Sequence, residues 1–415
     1  MKPKLFILIG ILTAAASAQE DYVQIRMIQP VGVGARANAL ANNHVALSSG
    51  VADLYWNPAA LSFSVSREFQ GSLYGIQTSS SSSYFGTDTR ATLPRFHMGN
   101  LGLSIAVPAS RGGLSFAFSY SNPLAFDDIS DFSGDWIDTV HAIEGSVDYR
   151  TMRTSGGLNY WTAGMGLQVA PHFGIGVATS LVTGKEKTKD QEYSTEETDS
   201  VIYITDINDD IIGRYLSYDV RLGLIYQTDL IDAGMRIIIP QVMRLKEEIE
   251  DNYTGDTYKD PYTMYSSWSG AVGVSATLPF LTISTELRGT LPYGFIFPEE
   301  DIPGSSQAAH TKKGAGVGLE VPIKKLVCRV GYSFDDLDLH KYMYFYEYDK
   351  AFNWSDGGVE VTRNRHQIAT GIGYTTDITS FDIAYTFSTW GITTNGYLEE
   401  IYYAHRLLAS FALRF

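Results

Sequence analysis

Cysteine is almost absent from this chain of 415 residues: Cys328 stands alone, so no internal disulfide can form. Long apolar runs are missing too. No stretch reaches the roughly 18 to 20 apolar residues that a membrane helix needs, which leaves strands as the means of crossing a bilayer. Positive charge is scarce, with 31 Lys and Arg against 46 Asp and Glu and a formal net charge of -15. That balance argues against nucleic acid, whose binding rests on cations that neutralise phosphates. Gly-x-Ser-x-Gly, His-Glu-x-x-His and Walker patterns are also lacking, and the His residues are scattered. No enzymatic chemistry is expected.

What is present begins with an export pattern. Lys2 and Lys4 precede the apolar stretch Leu5–Leu12, and Ala16-Ser17-Ala18 supplies a small-residue cleavage pattern before Gln19. Residues 1–18 are therefore read as a signal peptide, with the mature chain starting near Gln19. Gln19, not Cys, stands immediately after the cleavage point, so a lipoprotein anchor is not expected. Gly and Tyr are abundant and mean hydropathy is close to neutral. Alternating lipid-facing and lumen-facing positions average to such a value.

The last residues alternate. Leu407, Ala409, Phe411, Leu413 and Phe415 fall on one side of a strand, and Leu408, Ser410, Ala412 and Arg414 on the other. A lipid-facing side must be apolar because nothing in the bilayer core satisfies a charge, whereas a lumen tolerates Ser and Arg. Ending on an aromatic, this segment reads as the closing strand of a bacterial outer-membrane barrel. Phe411, Leu413 and Phe415 resemble the signal by which the barrel-assembly machinery recognises its clients.

Alternation and turn residues predict strands at Glu68–Gln77, Leu101–Pro108, Gly113–Ser121, Ser155–Ala170, His172–Thr183, Arg214–Gln227 and Asp232–Arg244. More follow at Met264–Leu278, Leu281–Thr290, Gly314–Val321, Lys325–Phe334, Arg363–Thr375, Ser380–Thr389 and His405–Phe415. The total of about fourteen is even, as bacterial single-chain barrels require. Within Leu326–Phe334 the alternation puts Cys328 on the lipid face, as a small apolar residue.

Connections alternate in length. Short ones fall at Pro108–Gly113, Pro171, Thr228–Ile231, Pro279-Phe280, Pro322–Lys324 and Thr376–Thr379. Long ones fall at Thr78–Asn100, Asn122–Thr154, Gly184–Gly213, Leu245–Thr263, Leu291–Lys313, Asp335–Thr362 and Trp390–Ala404. Short periplasmic turns and long outer loops are the barrel pattern, and a soluble sandwich gives no reason for it. Acidic residues gather in the long connections: Asp127, Asp128, Asp131 and Asp135, then Glu192, Glu196 and Glu197, then Glu247, Glu248, Glu250 and Asp251. They are read as solvated surface, with divalent-ion bridging to lipopolysaccharide as the alternative. Asp206-Ile-Asn208-Asp-Asp210 is a poor calcium loop, because Ile211 stands where the sharp-turn Gly belongs and no Glu closes it. No metal or cofactor is expected.

Residues 19–66 have a different grammar, rich in Ala, Asn and Gly. Gly32-x-Gly34-x-x-Ala37, with Asp53 downstream, mimics a dinucleotide fingerprint but lacks the strand-helix-strand context that gives the pattern meaning. The run from Gly32-Val-Gly34-Ala-Arg36-Ala through Val45-Ala-Leu47 to Leu54-Tyr-Trp-Asn-Pro-Ala-Ala-Leu61 instead resembles the N-terminal hatch of the FadL and TodX family of outer-membrane transporters. It is also similar to PorV-like proteins. The resemblance implies an all-β fold: a transmembrane antiparallel barrel of about fourteen strands over 67–415, with a hatch at 19–66 plugging its lumen from the periplasmic side. It also implies that Asn57, Pro58 and Ala59 lie beside the ligand route. Physically, Pro58 disfavours helix at Asn57 and starts a new direction, while the Asn57 amide can tie the bend to barrel backbone.

Alternation directs Asp219, Arg221, Arg236, Glu286, Arg288, Glu320, Arg329, Arg365, Asp382, Arg406 and Arg414 into the lumen, where burial demands partners among themselves or on the hatch. Gly174, Gly176, Ala178, Gly316 and Gly318 also point inward and should let the hatch backbone approach. Two outer segments are unusually aromatic: Tyr293, Phe295 and Phe297, then Tyr342, Tyr344, Phe345, Tyr346 and Tyr348 with Phe352 and Trp354 beyond. Interfacial girdle and external capture groove are both open readings.

The function implied is passive uptake of hydrophobic small molecules, long-chain fatty acids or aromatic hydrocarbons, across the outer membrane of a Gram-negative-type bacterium. Ligand would pass from the aromatic loops to an apolar pocket above the hatch, with a side opening toward the bilayer as one exit. Outer-membrane lipids and the barrel-assembly machinery are the other expected partners. PorV-like proteins use a similar barrel as an attachment factor in protein secretion, and the sequence leaves that alternative open.

Overall fold

The computed structural model describes residues 29–107, 112–138, 143–198, 201–252, 255, 257–265, 268–290, 313–337, 359–394 and 397–415. The signal-peptide segment and both aromatic segments, with Tyr293, Phe295, Phe297, Tyr342, Tyr344, Phe345 and Tyr346, lie outside the described residues.

Described strands begin with β1 (Gln29–Pro30) in the hatch. The wall follows as β2 (Glu68–Tyr84), β3 (Thr87–Val107), β4 (Leu114–Ala125), β5 (Asp128–Asp138), β6 (Ile143–Ala170), β7 (Phe173–Thr198) and β8 (Val201–Gln227). It continues with β9 (Ile231–Ile238), β10 (Val242–Asp251), β11 (Thr257–Tyr265), β12 (Ser269–Leu278), β13 (Leu281–Thr290) and β14 (Lys313–Ile323). The circuit ends with β15 (Leu326–Asp335), β16 (Val359–Thr375), β17 (Thr379–Thr394) and β18 (Leu398–Arg414). Three pairs, β4 with β5, β9 with β10 and β11 with β12, are each one stave interrupted midway, which gives a closed antiparallel barrel of 14 staves. Closure is made by β18 on β2, from Leu398 opposite Tyr84 to Arg414 opposite Glu68. A closed wall leaves no unpaired edge, as a bilayer demands.

Each predicted strand has its counterpart, but the strands run further than alternation foretold. The expected loop Thr78–Asn100 is a hairpin with only Phe85 and Gly86 at its tip, and Gly184–Gly213 is mostly the upper halves of β7 and β8. Above the apolar belt the outward face meets water and the buried inward residues, such as Ser80, Ser82, Thr188 and Asp190, are polar too, so sequence alternation fades while the hydrogen-bond ladder goes on. The acidic residues expected in loops therefore sit largely on strands. Asp127, expected on solvated surface, is fully buried. The segment Asp206–Asp210 is extended strand within β8.

Outward positions form the lipid face. Leu101, Leu103, Ile105 and Val107 on β3, Leu222, Leu224 and Tyr226 on β8, and Phe411 and Leu413 on β18 are all exposed. Exposed apolar rows repeated strand after strand exceed what a water-soluble surface carries, so this is an outer-membrane barrel. Cys328 is exposed on that face. Among the described residues no helix is long and apolar enough to cross a membrane.

Inside sits the hatch, described from Gln29 to Ser66. It has helix α1 (Ala35–Ala39), a 3-10 turn at Gly50–Ala52, helix α2 (Asp53–Trp56) and a 3-10 turn at Pro58–Phe63. Gly32 and Gly34 take φ of +80° and +82°, backbone that other residues rarely adopt, and the Trp56 ring fills the space of a Gly32 side chain. That is the role of the glycines that mimic a nucleotide fingerprint.

Candidate functional site

The hatch is fastened to the wall at the end that carries the short turns. Asn57 caps the Pro58–Phe63 turn: its Oδ1 accepts from the Ala59 N–H at 3.1 Å, and its Nδ2 donates to the Val45 carbonyl at 2.7 Å and to Leu224 of β8 at 3.0 Å. Pro58 at the first position of the turn has no N–H to leave orphaned. Asn57, Pro58 and Ala59 are completely or almost completely buried, pressed on β7 and β8 where Gly176 and Gly223 stand. A side chain at either glycine would collide with the motif. Gly174 opposes Ser62 and Ala59, Gly316 opposes Asn43 and Gly318 opposes Leu40, as the small inward residues led one to expect. Ala178 packs with Leu54 and Leu61.

The predicted lumenal charges do point inward, each with its own role. Arg329 bridges Glu320 and Asp382, both at 2.6 Å, and Glu320 also receives the hatch residue Arg36 at 2.7 Å. This chain of alternating charges ties α1 to β14, β15 and β17. Arg288 binds Asp335 at 2.5 Å and 2.8 Å, while Arg236 donates to the carbonyls of Tyr55 and Trp56. Arg221 pairs with Asp219 at 3.0 Å and lies between the rings of Tyr55 and Tyr160, at 4.6 and 5.1 Å. Arg365 lies 4.9 Å from the ring centre of Trp390. Paired or backbone-bonded, most of these arginines hold the plug, which is what burial requires of them.

Of two buried groups of the hatch, His44 was not singled out by the sequence, and Asp53 stood out only as the acid of the mimicked fingerprint. Asp53 accepts from Ser48 Oγ and from the N–H groups of Ser49 and Gly50, and His44 Nε2 meets the Ser49 hydroxyl and lies 3.9 Å from Asp53. Burial pushes the Asp53 carboxyl up to about 7 and the His44 imidazole down to about 3. Nothing in a lone Asp or His distinguishes it from a surface residue until the hatch is known to be enclosed.

Below the plug, toward the short turns, a cavity of mixed lining, about 430 Å³, is bounded by Gly34, Arg36, Ser48 to Gly50 and Phe63 to Ser66 of the hatch, by the Glu320, Arg329 and Asp382 cluster, and by apolar residues such as Val33 and Val327. Asn57, Pro58 and Ala59 do not line it. Above the plug apolar clusters stand among buried polar wall residues such as Thr78, Ser80, Ser82, Asp190 and Glu400. Trp390, Ile392, Tyr402 and Ala404 form one cluster, and Phe126, Leu158, Tyr160 and Val182 another.

Beside these clusters the wall is incomplete. The β3–β4 ladder runs from Val107 opposite Leu114 only as far as Asn100 opposite Ser121. There Pro123, which has no N–H to donate, and a register shift between Ser121 and Leu124 turn β4 inward, where it pairs with β1. Upper β3 is left without a ladder on that side. Side chains span the gap: His97 to Asp127 at 2.5 Å, and Tyr74 to Asn122 at 2.5 Å. A cavity of about 180 Å³ opens there, lined by His97, Met98, Tyr120, Asn122, Gly156, Gly157, Asn159 and Lys185. The Asn122-Pro123 pair was the available sequence signal, and it was read only as the start of a loop.

A wall of this kind around a wall-anchored hatch defines a plugged outer-membrane β-barrel. Its fold is the FadL/TodX type. The chain superposes on the P. putida toluene transporter TodX with a TM-score of 0.57 at 13% identity, covering 93% of this chain and 99% of that one. A Pseudomonas aeruginosa FadL homologue gives 0.60 at 11% over 94% and 99%, and the Ralstonia pickettii toluene transporter TbuX gives 0.57 at 14% over 93% and 99%. No protein-family model matches the chain, and no curated protein matches it in sequence.

Proposed function

We propose that the protein is an outer-membrane channel for passive uptake of hydrophobic small molecules, long-chain fatty acids or aromatic hydrocarbons. The observation that carries this reading is the break in the wall ladder above Asn100 and Ser121, beside two apolar clusters of the upper lumen and above the hatch. A polar solute gains nothing from a side exit into lipid. A solute that partitions into hydrocarbon does, because burial of its apolar surface is favourable on both sides of the gap. Several of the solved channels that share the fold are named as toluene transporters or a monoaromatic hydrocarbon channel, which supports the same reading. Ligand enters from the outer end, rests among the upper apolar clusters and leaves past His97 and Asp127.

The test is uptake of a radiolabelled long-chain fatty acid and of toluene by cells whose outer membrane lacks such channels. Production of the protein should raise uptake of at least one several-fold without raising passage of a small polar sugar. Uptake that never depends on the protein would move the attachment-factor reading ahead.

A further inference from the structure

Although the chain carries 46 acidic side chains against 31 basic ones, one part of its outer surface is basic. On upper β7, β8 and β10, the side chains of Lys185, Lys187, Arg214, Arg244 and Lys246 face outward and are exposed. Lys185 stands directly opposite Arg214, and Arg214 directly opposite Lys246, so cations on neighbouring strands share one level of the wall. Side chains paired in this way are about 5 Å apart at Cβ, and like charges there repel. Among the described residues Lys185, Lys187, Arg244 and Lys246 have no ion pair. The nearby carboxylate Glu248 is divided between Arg214 at 2.9 Å and Lys259 at 3.1 Å, and Asp210 stands opposite Lys189, further up.

The level of this row says what it faces. Trp161, Leu181 and Tyr218 make an exposed outward row across β6, β7 and β8, and outward Trp and Tyr mark the height of lipid headgroups. Lys185 lies four residues beyond Leu181 toward the outer end, about 13 Å along the strand. Long basic side chains at that height reach the heads of the outer leaflet while their stems rest on apolar surface. Gly157, opposite Lys185 on β6, presents no side chain, and the cavity of about 180 Å³ at the wall gap opens beside that pair. The surface there has room for a headgroup.

We infer that Lys185, Lys187, Arg214 and Lys246 bind the phosphates of a glycolipid of the outer leaflet, the phosphorylated lipid anchor of lipopolysaccharide. A phosphate on this row supplies the negative charge that the wall itself lacks and bridges cations that otherwise repel one another. The acyl chains of the same lipid lie on Leu181, Leu216 and Tyr218 below, all exposed. Charge selects an anion, and a place at the end of the barrel away from the hatch selects the outer leaflet, where phosphate is carried on that glycolipid. The site lies outside the wall and touches neither hatch nor lumen, so it stands or falls apart from the uptake reading.

The folded barrel in a neutral detergent is titrated with lipid A, the lipid anchor itself, carrying both phosphates, and with lipid A stripped of them; bound lipid is read by native mass spectrometry. EDTA is present, so divalent-ion bridges to acidic residues contribute nothing. The wild type should bind the phosphorylated lipid at least about tenfold more tightly than the stripped one. Lys185→Gln, Lys187→Gln and Lys246→Gln combined should weaken the phosphorylated lipid about a hundredfold, at about fivefold for each lysine near a charged lipid surface, and leave the stripped lipid unchanged. All three side chains are exposed, so heat-modifiable migration should match the wild type. Lys313→Gln with Lys325→Gln, exposed lysines of β14 and of the turn after it, is the control and should bind as the wild type does. Equal binding of the two lipids by the wild type, a triple variant that binds as before, or an equal loss in the control overturns the site. Phosphatidylglycerol bound as tightly as lipid A overturns the assignment to the glycolipid.

Discussion

Asn57 and Leu224 are joined by a hydrogen bond of 3.0 Å that runs from the hatch into the barrel wall, across 167 positions of sequence. The same Asn57 side chain reaches Val45 and Ala59, so one amide holds two hatch segments and a wall strand in register. The Leu224 carbonyl belongs to β8, whose exposed side chains face lipid. Hatch and wall are therefore coupled at a point, while the ladder that makes the wall is independent of it.

Asn57→Ala strands buried acceptors at Val45 and Leu224 and a buried N–H at Ala59. The hatch should lose about 1 to 3 kcal/mol of docking while the barrel keeps its ladder. Hydrogen exchange should speed up across residues 45 to 60, passage of a small polar solute should rise, and heat-modifiable migration should stay unchanged. Unaltered exchange in that segment would count against the anchoring role.

Gly176→Ala puts a Cβ against the backbone of Pro58 and Ala59, neither of which can swing aside as a side-chain end can. The cost should be about 1 to 3 kcal/mol, borne by the hatch. Gly75→Ala on β2 is the control, because its nearest neighbour would be Arg95 O at 3.8 Å, an ordinary contact. Limited proteolysis of the two purified variants should cut the hatch of the first and not of the second.

The wall was legible because period-2 alternation is imposed by the bilayer and is strong wherever lipid is on one side. It failed above the belt, at Ser79–Ser83 and along upper β7, because the buried inward residues there, such as Ser80, Ser82, Thr188 and Asp190, are as polar as the outward ones and leave no contrast for alternation to record. The inward direction of Arg221, Arg329 and Arg365 could be read from the same period, but not their partners. Pairing depends on register between strands and on hatch residues such as Arg36, which no local pattern reveals. The wall gap at Pro123 was hidden for a similar reason: proline signals a break, and only the sheet tells whether the break is a loop or a window.

His44 and Asp53 titrate in opposite senses. Burial lowers His44 to about 3, so the free hatch binds a proton that the docked one does not, and docking weakens as pH falls from 6.5 toward 3. Burial raises Asp53 to about 7, so its contribution is complete below 3.8 and lost as pH rises through 7. Between about pH 4 and 6.5 the slopes cancel, and docking of the wild-type hatch should be nearly flat. His44→Gln should expose the Asp53 slope and Asp53→Asn the His44 slope, each up to about 1.4 kcal/mol per pH unit. Trp56, whose ring centre lies 6.1 Å from that of His44, reports both by fluorescence. Identical pH profiles in all three proteins would contradict the opposed titration.

The two ends of the staves should differ in access. In a Cys328→Ala background, Asp88→Cys lies at the tip of the β2–β3 hairpin and Asp377→Cys in the short turn between β16 and β17, both exposed. A membrane-impermeant thiol reagent applied to intact cells should label the first and spare the second. Equal labelling would overturn the assignment of the short turns to the periplasm.

Phe415 closes the circuit at its edge: its N–H donates to the Arg67 carbonyl at 3.0 Å, and its own carbonyl accepts from the Arg67 N–H at 3.3 Å. The ring itself is 64% exposed. Deleting the residue therefore removes two hydrogen bonds at the end of a ladder, each with a net worth of about 1 kcal/mol, and no buried packing. Stability of a barrel already folded should barely change, and refolding of the purified chain into detergent should proceed as before. If the assembly machinery reads the terminal Phe411, Leu413 and Phe415 pattern, the same deletion should cut folded protein in the outer membrane several-fold and leave periplasmic fragments. The pair of measurements separates recognition from stability, since a stability defect would impair both. Wild-type yield in cells would show that the terminal aromatic is incidental to assembly.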